Sequence, residues 1–464
     1  MKIRWVAPCI PRALLFVLLS IYVSTIALFA APQAENRESL TKDYTMGKKY
    51  HDRVALIETG EDGVRVRLDL VEAAQKTIDI SYYTFTRGKF TNVLLSLLLS
   101  AADRGVHVRI LCDGLTSLAY EKKELNDALR AFETHPNIEV KYYEKFNLLT
   151  PWAWQKRLHD KILIVDDKLA LIGGRNIGDK YFMKDEYQQD FVNDRDALLY
   201  HDGTEESVIA DMQHYYDQVW EYKHTKVHKK NITTKQREEA ELTLAGLRAF
   251  AKTIRADYPE LFQQPNWRER TLSAKAIEFV HNPLGRRKKD PWCLKALLEV
   301  ASQAQSSIFV QSPYIIPTKS MQKLIKTYDI NMELVTVMTN SKLSSPNPIA
   351  MGGYYNHRKM IVDKADQVYE YQGPDSIHGK SYVFDDAISI VGTFNIDSRS
   401  SYINTESMVI IHSEEFASDL KREIQTYMDN SVLVQADYTY GGEAKDKKPL
   451  WLFSKFVGLF EYYL

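Results

Sequence analysis

The sequence predicts an α/β protein: a tandem duplication of an α-β-α sandwich, with two halves packed pseudo-twofold around one shared site. Three observations predict this fold class. An unusual segment occurs twice at a constant spacing, strand and helix patterns alternate in both parts of the chain, and 464 residues exceed the usual size of a single hydrophobic core. We therefore expect two similar cores and a site where they meet.

The internal repeat is the strongest of these observations. The segment RLHDKILIVDDKLALIGGRNIGDKYF (157–182) recurs as SIHGKSYVFDDAISIVGTFNIDSRSS (376–401). Five equivalent pairs differ in number by 219 (378 − 159 = 219) with no gap among them: His159 and His378, Lys161 and Lys380, Asp166 and Asp385, Gly173 and Gly392, and Asn176 and Asn395. Self-similarity at a fixed spacing indicates a duplicated structural unit.

Strand and helix patterns alternate around each copy. The apolar, β-branched segments KTIDISYYTF and VHVRILCDG in the first part correspond to SSIFVQSPYI and NMELVTVMTN in the second. Helical patterns such as VLLSLLLSAADRG and LKALLEVASQAQ precede members of these pairs. We assign the first half to 48–225 and the second half to 272–440, with a polar helical insertion or linker at 226–271 that begins near Thr233 or Thr234.

Segment 1–31 has the features of a membrane anchor or a signal segment. Three basic residues precede an uncharged run from Ala13 to Ala31, which is long enough to span a bilayer. Its charge pattern places the catalytic domain on the extracytoplasmic side. An uncleaved anchor is our preferred interpretation and a cleaved signal peptide is the alternative, because no clear cleavage site stands near Pro32.

Composition narrows the function classes. The 60 basic and 61 acidic residues nearly cancel, so no overall field attracts nucleic acid, and any anion must be bound by local charge. Three cysteines, Cys9, Cys112 and Cys293, are too few for a disulfide framework, and Cys112 is expected to be a buried thiol.

Two further segments could meet a membrane surface. The basic cluster Arg286 to Lys289 is either a solvated face or a contact for anionic headgroups. The tail at 441–464 is aromatic and basic; it is either an interfacial segment or a docked segment that fills a groove.

The repeated motif suits phosphodiester chemistry without a metal. Residues two apart in a strand face the same side, so His159 projects with Lys161 and His378 with Lys380. A neutral imidazole can attack phosphorus while a protonated one donates to the leaving oxygen. The lysines, together with the amides of Asn176 and Asn395 as phosphate-binding groups, can stabilise charge on the oxygens. The motifs contain no convincing metal-ligand cluster, so we expect no cofactor.

The acidic residues of the motif divide into two roles. Asp166 and Asp385 belong to the repeated, candidate catalytic set, although their place at the end of a strand favours structural hydrogen bonding over reaction. Each imidazole also needs an orienting partner on its other nitrogen. Aligning the strands beside the motifs selects Glu406 in the second half and Asp196 in the first, where about nine extra residues leave Asp194 or Asp190 as alternatives.

One similar pattern breaks the spacing. The segment NHRKMIVDK contains His357, Lys359 and Asp363, but the aspartate comes one residue early and no glycine and asparagine follow. We interpret it as a strand or loop beside the site.

The pattern H-x-K-x4-D, found twice and followed by GGRN and GTFN, resembles the phospholipase D superfamily. The segments GGRNIGDKYF, HNPLGRRKKDP and YEYQGPDSIHGKSYVFDD are similar to bacterial cardiolipin synthases. The resemblance covers nearly everything from Lys48 onward. It implies one shared active site and a two-step reaction through a phosphohistidine, with His159 as nucleophile and His378 as general acid; symmetry leaves these two roles exchangeable on sequence grounds.

The resemblance also implies phospholipid substrates such as phosphatidylglycerol. A phosphatidyl group would pass to a second phospholipid in a cardiolipin synthase, or to water in a phospholipase D. Two departures stand out: many relatives have serine where this chain has Gly174 and Thr393, and common cardiolipin synthases carry two N-terminal membrane helices rather than one. A nuclease and a non-catalytic membrane scaffold are the competing functions. The near-zero net charge and the membrane leader disfavour a nuclease, and the two intact motifs disfavour a scaffold.

Overall fold

The computed structural model describes residues 47–116, 123–150, 153–203, 206–227 and 233–435. The predicted anchor at 1–31 and tail at 441–464 lie outside these residues. Within the described ranges, no helix combines the length and the apolar character needed to cross a membrane. Cys112 and Cys293 are buried thiols.

The first half is built on one mixed sheet. The strands of this half are β1 (Arg53–Ile57), β2 (Thr77–Tyr82), β3 (His107–Asp113), β4 (Ile138–Tyr143), β5 (Lys161–Val165), β6 (Leu169–Gly173), β7 (Val192–Asn193), β8 (Asp196–Tyr200), β9 (Thr225–Val227) and β10 (Leu272–Ser273). The short strand β7 is not part of this sheet. The helices of this half are α1 (Gly60–Ala73), α2 (Lys89–Asp103), α3 (Lys123–Phe132), α4 (Lys184–Tyr187), α5 (Val208–Trp220) and α6 (Thr234–Asp257). The nine-stranded sheet has the order β10-β1-β8-β6-β5-β2-β3-β4-β9.

The second half repeats this plan. Its strands are β11 (Ala276–His281), β12 (Ile308–Gln311), β13 (Val335–Asn340), β14 (Gln367–Tyr371), β15 (Ser376–Ile377), β16 (Lys380–Phe384), β17 (Ile388–Gly392), β18 (Ser407–His412) and β19 (Ser431–Leu433). Its helices are α7 (Trp292–Gln303), α8 (Lys319–Ile325), α9 (Pro348–Val362), α10 (Ser398–Tyr402) and α11 (Glu414–Met428). The sheet order β11-β18-β17-β16-β12-β13-β14-β19 corresponds, strand by strand, to that of the first sheet without β10.

Three apolar clusters hold these layers together. One lies between the first sheet and helices α1, α2, α3 and α6, and another between the second sheet and helices that include α7 and α9. The third combines the facing sides of both sheets with α5 and α11, for example Met212 and Leu420. Each sheet is therefore covered on both faces, and the predicted duplicated α-β-α sandwich is confirmed.

The segment between the halves packs on the first half. Helix α6 begins at a capping box in which Thr233 and Gln236 satisfy each other's backbone N–H groups, and it contributes to the first apolar cluster. The strand β10, which the sequence assigned to the second half, pairs with β1 of the first. Chain crossings of this kind join the halves into one body.

Candidate active site

Both motif histidines line one cavity where the halves meet. The cavity has a volume of about 460 Å³ and is lined from the first half by residues that include His159 and Asn176, and from the second by residues that include His378 and Asn395. The sequence-predicted histidines and asparagines are therefore brought together. A cavity of this size is in the range of small-molecule sites.

His159 is held in place by the second half. It immediately precedes Asp160 and β5, its backbone N–H donates to Oγ1 of Thr405 at 2.9 Å, and its Nδ1 lies 2.9 Å from Oε2 of Glu406. The ring of Tyr83 makes an edge contact with the imidazole at 5.1 Å between centroids. Because Nδ1 is occupied by the carboxylate, Nε2 is the ring atom left for a substrate.

His378 is held in the same way by the first half. The two-residue strands β7 and β15 pair in parallel, and they bring Asn193 and Asp194 beside it. Its backbone N–H donates to the carbonyl of Asn193 at 2.6 Å, and its Nδ1 lies 2.5 Å from Oδ2 of Asp194. Each histidine thus has its carboxylate partner in the opposite half.

The assignment of Asp196 to a histidine is wrong. Its Oδ2 lies 2.9 Å from Nη2 of Arg67 and 2.9 Å from Nη1 of Arg175, and all three side chains are buried. Asp194, which the sequence left as an alternative, contacts His378 instead. The equivalent carboxylates differ by 212 (406 − 194 = 212), so the first half carries seven extra residues (219 − 212 = 7) rather than nine. Glu406 does contact a histidine, but that histidine is His159.

The motif lysines lie behind the histidines. Nζ of Lys161 donates to the carbonyl of His159 at 2.6 Å, and Nζ of Lys380 lies 2.7 Å from Nδ1 of His378. Burial and the charge of Lys380 lower the pKa of Lys161 to about 7, and burial lowers the pKa of Lys380 to about 8. Neither lysine lines the cavity: both lie behind the histidines, in a region with little water.

Burial also lowers the pKa values of the two histidines. It lowers the pKa of His159 well below its ordinary value, with Lys161 and Lys380 acting in the same direction. Burial and then Lys380 lower the pKa of His378 to about 3, although Asp194 opposes this change. Without an anion in the cavity both rings are neutral, and a bound phosphodiester would favour protonation of either ring.

The two carboxylates differ in charge. Burial acts to raise the pKa of Asp194, but the charge of Lys380 and the contact with His378 outweigh it and hold the pKa well below its ordinary value. Burial raises the pKa of Glu406 to about 7, while Lys161 and the hydroxyl of Thr393 act in the opposite direction. Asp194 is therefore fully ionised at neutral pH, whereas Glu406 is not.

The motif aspartates are structural. Asp166 and Asp385 each begin a two-residue turn at positive φ (54° and 52°), a conformation that aspartate tolerates. The carboxylate of Asp166 accepts the backbone N–H groups of residues 75–77, each at 2.8 Å. Asp385 accepts those of residues 305–307 in the same manner. Neither lines the cavity, so their inclusion among the catalytic residues is corrected to a fold-stabilising role.

The asparagines keep unused hydrogen-bonding capacity at the cavity. Nδ2 of Asn176 donates to the hydroxyl of Tyr181 at 2.9 Å, and Nδ2 of Asn395 lies 3.5 Å from the hydroxyls of Tyr314 and Ser400. Within the described part of the chain, neither side-chain oxygen has a hydrogen-bond partner. This is the arrangement expected of amides that bind a polar substrate group.

The difference between Gly174 and Thr393 has a structural cause. A Cβ at Gly174 would lie 2.1 Å from Oδ1 of Asp194, so the first half has no room for a hydroxyl side chain. In the second half the hydroxyl of Thr393 donates to Oε2 of Glu406 at 2.5 Å. The hydroxyl that the first half lacks therefore donates, in the second half, to the carboxylate that contacts a histidine.

Three cavity residues were missed in the sequence. Arg157 precedes His159 by two residues, and its guanidinium contacts the carboxylate of Asp113. Lys180 and Arg399 also line the cavity and differ by the same 219 (399 − 180 = 219) as the motif pairs. This last pair lies within the repeated segments, four residues beyond the asparagines, and comparing charged residues at that position would have identified it.

Two other interpretations are corrected. NHRKMIVDK is not a strand: its first seven residues form the end of helix α9, and His357 does not line the cavity. The basic cluster is only partly a solvated face, because Arg286 forms an ion pair with Glu144 and Lys289 is buried and donates to the carbonyl of Asn404 at 2.9 Å.

The arrangement places two histidines and two amides at one cavity, with two lysines behind the histidines. Within the described ranges, no group of three or more histidine, cysteine or acidic side chains could hold a metal ion. Proton transfer and charge stabilisation can both be performed by the side chains present.

Comparisons with known proteins agree with this geometry. A family model described as cardiolipin synthase, PLD-like domain, matches residues 67–220 and 297–428, one segment in each half. An uncharacterized protein of Helicobacter pylori is 30% identical over 424 residues, which cover 82% of this chain and 80% of that protein. Cardiolipin synthase C of Escherichia coli is 25% identical over 419 residues, covering 82% of this chain and 86% of that protein.

A solved structure shares the fold. The phosphatidylserine synthase of Haemophilus influenzae aligns with a TM-score of 0.63, covering 89% of this chain and 97% of that chain at 14% sequence identity. At this identity the similarity concerns the fold alone.

Proposed function

Because the chain belongs to the phospholipase D superfamily, in the family of cardiolipin synthase PLD-like domains, we propose that it transfers a phosphatidyl group between phospholipids through a phosphohistidine. The observation that carries this proposal is the pair of histidines in one cavity, each with a carboxylate from the opposite half on its Nδ1. One histidine can then form a bond to phosphorus while the other moves a proton.

The first step forms the phosphohistidine. Nε2 of His159 attacks the phosphorus of the donor phospholipid, and the bond from phosphorus to the headgroup oxygen breaks. The imidazolium of His378 gives its Nε2 proton to that oxygen, so the headgroup leaves as a neutral alcohol. The N–H groups of the two asparagine amides donate to the phosphoryl oxygens, and Lys161 and Lys380 stabilise the charge on these oxygens from behind the histidines.

The charges of the carboxylates support this assignment of roles. An ionised Asp194 beside His378 stabilises its imidazolium, which a general acid requires. Glu406, with its pKa raised to about 7, stabilises an imidazolium at His159 less and leaves that ring neutral for attack.

The second step transfers the phosphatidyl group. The neutral His378 takes a proton from the hydroxyl of the acceptor, whose oxygen attacks phosphorus as the bond to Nε2 of His159 breaks. With phosphatidylglycerol as both donor and acceptor the product is cardiolipin; with water it is phosphatidic acid. The relative access of these acceptors decides between synthase and hydrolase.

Exposed apolar side chains lie at the cavity wall and in the adjoining loop, which supports action at a membrane surface. Ile349 lines the cavity and is 50% exposed, and Leu343 in the preceding loop is 71% exposed. Apolar groups at the rim can enter the interface that holds the substrate. Together with the predicted anchor, they support a membrane-associated, extracytoplasmic enzyme.

Product analysis tests the proposal. Purified full-length protein is incubated with labelled phosphatidylglycerol, and we expect cardiolipin by mass spectrometry. Phosphatidic acid alone would make the protein a hydrolase, and the absence of both products would reject the proposal. Degradation of single-stranded DNA that is lost in His159→Ala would favour the nuclease alternative instead.

The membrane contact has its own test. Leu343→Ser/Ile349→Ser should reduce the rate on phosphatidylglycerol vesicles several-fold more than the rate on a dispersed short-chain analogue. Leu242→Ser, which changes a leucine of α6 that is 76% exposed and does not line the cavity, is the matched control. Equal effects of both variants on vesicles would contradict a role of the rim.

A further inference from the structure

Lys180 and Arg399 are cations in the cavity that the two-step mechanism does not use. They occupy equivalent positions of the repeat and both line the cavity with the histidines. A single phosphodiester carries one negative charge, on which the two motif lysines already act from behind the histidines. The additional pair indicates that the cavity accommodates more than one anionic group.

Lys180 lies on the His378 side. Its Nζ is 5.2 Å from the centroid of the Tyr181 ring, and that ring contacts the imidazole of His378 edge-on at 6.0 Å. Within the described residues, its ammonium forms no ion pair or hydrogen bond with a carboxylate, and Asp190 acts on it only at a distance. Burial lowers its pKa, so a charged ammonium here gains from an anionic ligand.

Arg399 lies on the opposite side. Its backbone carbonyl accepts the N–H of Asn404 at 2.9 Å, and the next residue, Thr405, accepts the backbone N–H of His159. The Nε of Arg399 is buried and, among the described residues, has no hydrogen-bond partner. The two cations therefore flank the reacting phosphorus, one beside the nucleophile and one beside the acid.

We propose that Lys180 binds the phosphate of the acceptor, so that this site selects acceptor alcohols that themselves carry a phosphate. The inference rests on the proposed function, because it takes His378 as the group that deprotonates the acceptor. The acceptor hydroxyl must approach on the His378 side, opposite His159, and Lys180 is the cation on that side. Arg399, beside the nucleophile, serves the donor phosphate and acts on every acceptor alike.

A competition between acceptors tests the assignment. Full-length protein receives labelled phosphatidylglycerol, deuterated glycerol and glycerol 3-phosphate, and mass spectrometry measures cardiolipin, phosphatidylglycerophosphate, deuterated phosphatidylglycerol and phosphatidic acid. In Lys180→Gln the ratio of phosphate-bearing products to deuterated phosphatidylglycerol should fall about tenfold, the effect of one lost charge-assisted hydrogen bond. Lys180→Arg should restore the ratio.

Two variants serve as controls. Lys168→Gln removes an exposed lysine of the turn between β5 and β6, far from the cavity, and should leave the ratio unchanged. Arg399→Gln should slow the formation of all products together, with little change in their ratio.

The outcomes separate the two proposals. A fall in cardiolipin alone identifies a lipid headgroup as the bound phosphate, and a fall in phosphatidylglycerophosphate alone identifies a soluble phosphate ester. An unchanged ratio in an active Lys180→Gln protein overturns the acceptor site and leaves the transferase intact. A wild-type protein that makes none of the four products refutes the proposed function itself.

Discussion

The exchange of carboxylates between the halves predicts how Asp194→Asn changes the reaction. Asp194 lies 2.5 Å from Nδ1 of His378 and is the ionised partner of that ring. Asparagine keeps the size of the side chain but removes its charge. The imidazolium of His378 then loses its nearest anion, so the pKa of His378 falls further below its ordinary value.

The size of the effect follows from the contact. An opposite charge at hydrogen-bond distance shifts a pKa by about one to three units, and each unit is a factor of about ten in the population of the protonated form. For a site already surrounded by cations, we expect a loss of about 10- to 100-fold in turnover of phosphatidylglycerol. Because the imidazolium forms at lower pH in the variant, its pH optimum should move to the acid side.

The assay compares two leaving groups. Glycerol needs the proton of His378 to depart, whereas p-nitrophenolate leaves without it, so phosphatidyl-p-nitrophenol should be turned over by Asp194→Asn with a much smaller loss. Glu406→Gln acts on His159 at 2.9 Å and should slow both substrates alike. Asp196→Asn disturbs the buried arginines and should lower stability without changing the ratio of the two rates.

The reverse pattern would refute this reasoning. If Glu406→Gln spared the activated substrate and Asp194→Asn did not, the histidines would have exchanged roles.

Three other predictions follow from the site. His159→Ala should abolish turnover, while His378→Ala should still accumulate a labelled phosphohistidine from phosphatidyl-p-nitrophenol, detected on the intact protein; no label in the second variant would count against the assigned nucleophile. Incubation with EDTA should leave activity unchanged, and a loss restored by a divalent ion would show that a metal takes part. Asp166→Ala leaves three backbone N–H groups without their acceptor and should lower the free energy of unfolding in urea by about 2–3 kcal/mol, with kcat of the folded protein within about twofold of wild type; a large loss of kcat at unchanged stability would return Asp166 to the catalytic set.

The sequence was sufficient for the fold class and for the histidines and asparagines that the structure brings to one cavity. Strand and helix patterns are local and periodic, so both sheets could be anticipated from segments such as 76–85 and 306–315. The constant spacing identified both histidines, both lysines and both asparagines, and the same spacing, extended by a few residues, contains Lys180 and Arg399.

The roles of the acidic residues could be assigned only from the tertiary structure. Asp194 and Asp196 are two residues apart in one short segment, and pattern alone could not tell which of them faces a histidine. The structure shows that the carboxylate of Asp196 pairs with two buried arginines, one from α1 and one from the loop after β6. Because both arginines lie outside the segment that contains the two aspartates, the sequence of that segment does not indicate these ion pairs.

The partnership of the histidines was decided by tertiary structure alone. The contacts of His378 with Asp194 and of His159 with Glu406 join residues separated by 184 and 247 positions, and they cross from one half to the other. The sequence predicted a shared site but sought the carboxylate partner of each histidine in the same half, whereas the structure, with β7 paired in parallel to β15, takes each partner from the opposite half. Periodic patterns in the sequence show which face of a strand is buried. The segments of the two halves that meet each other are determined by how the two folded cores pack, and no periodic pattern contains that information.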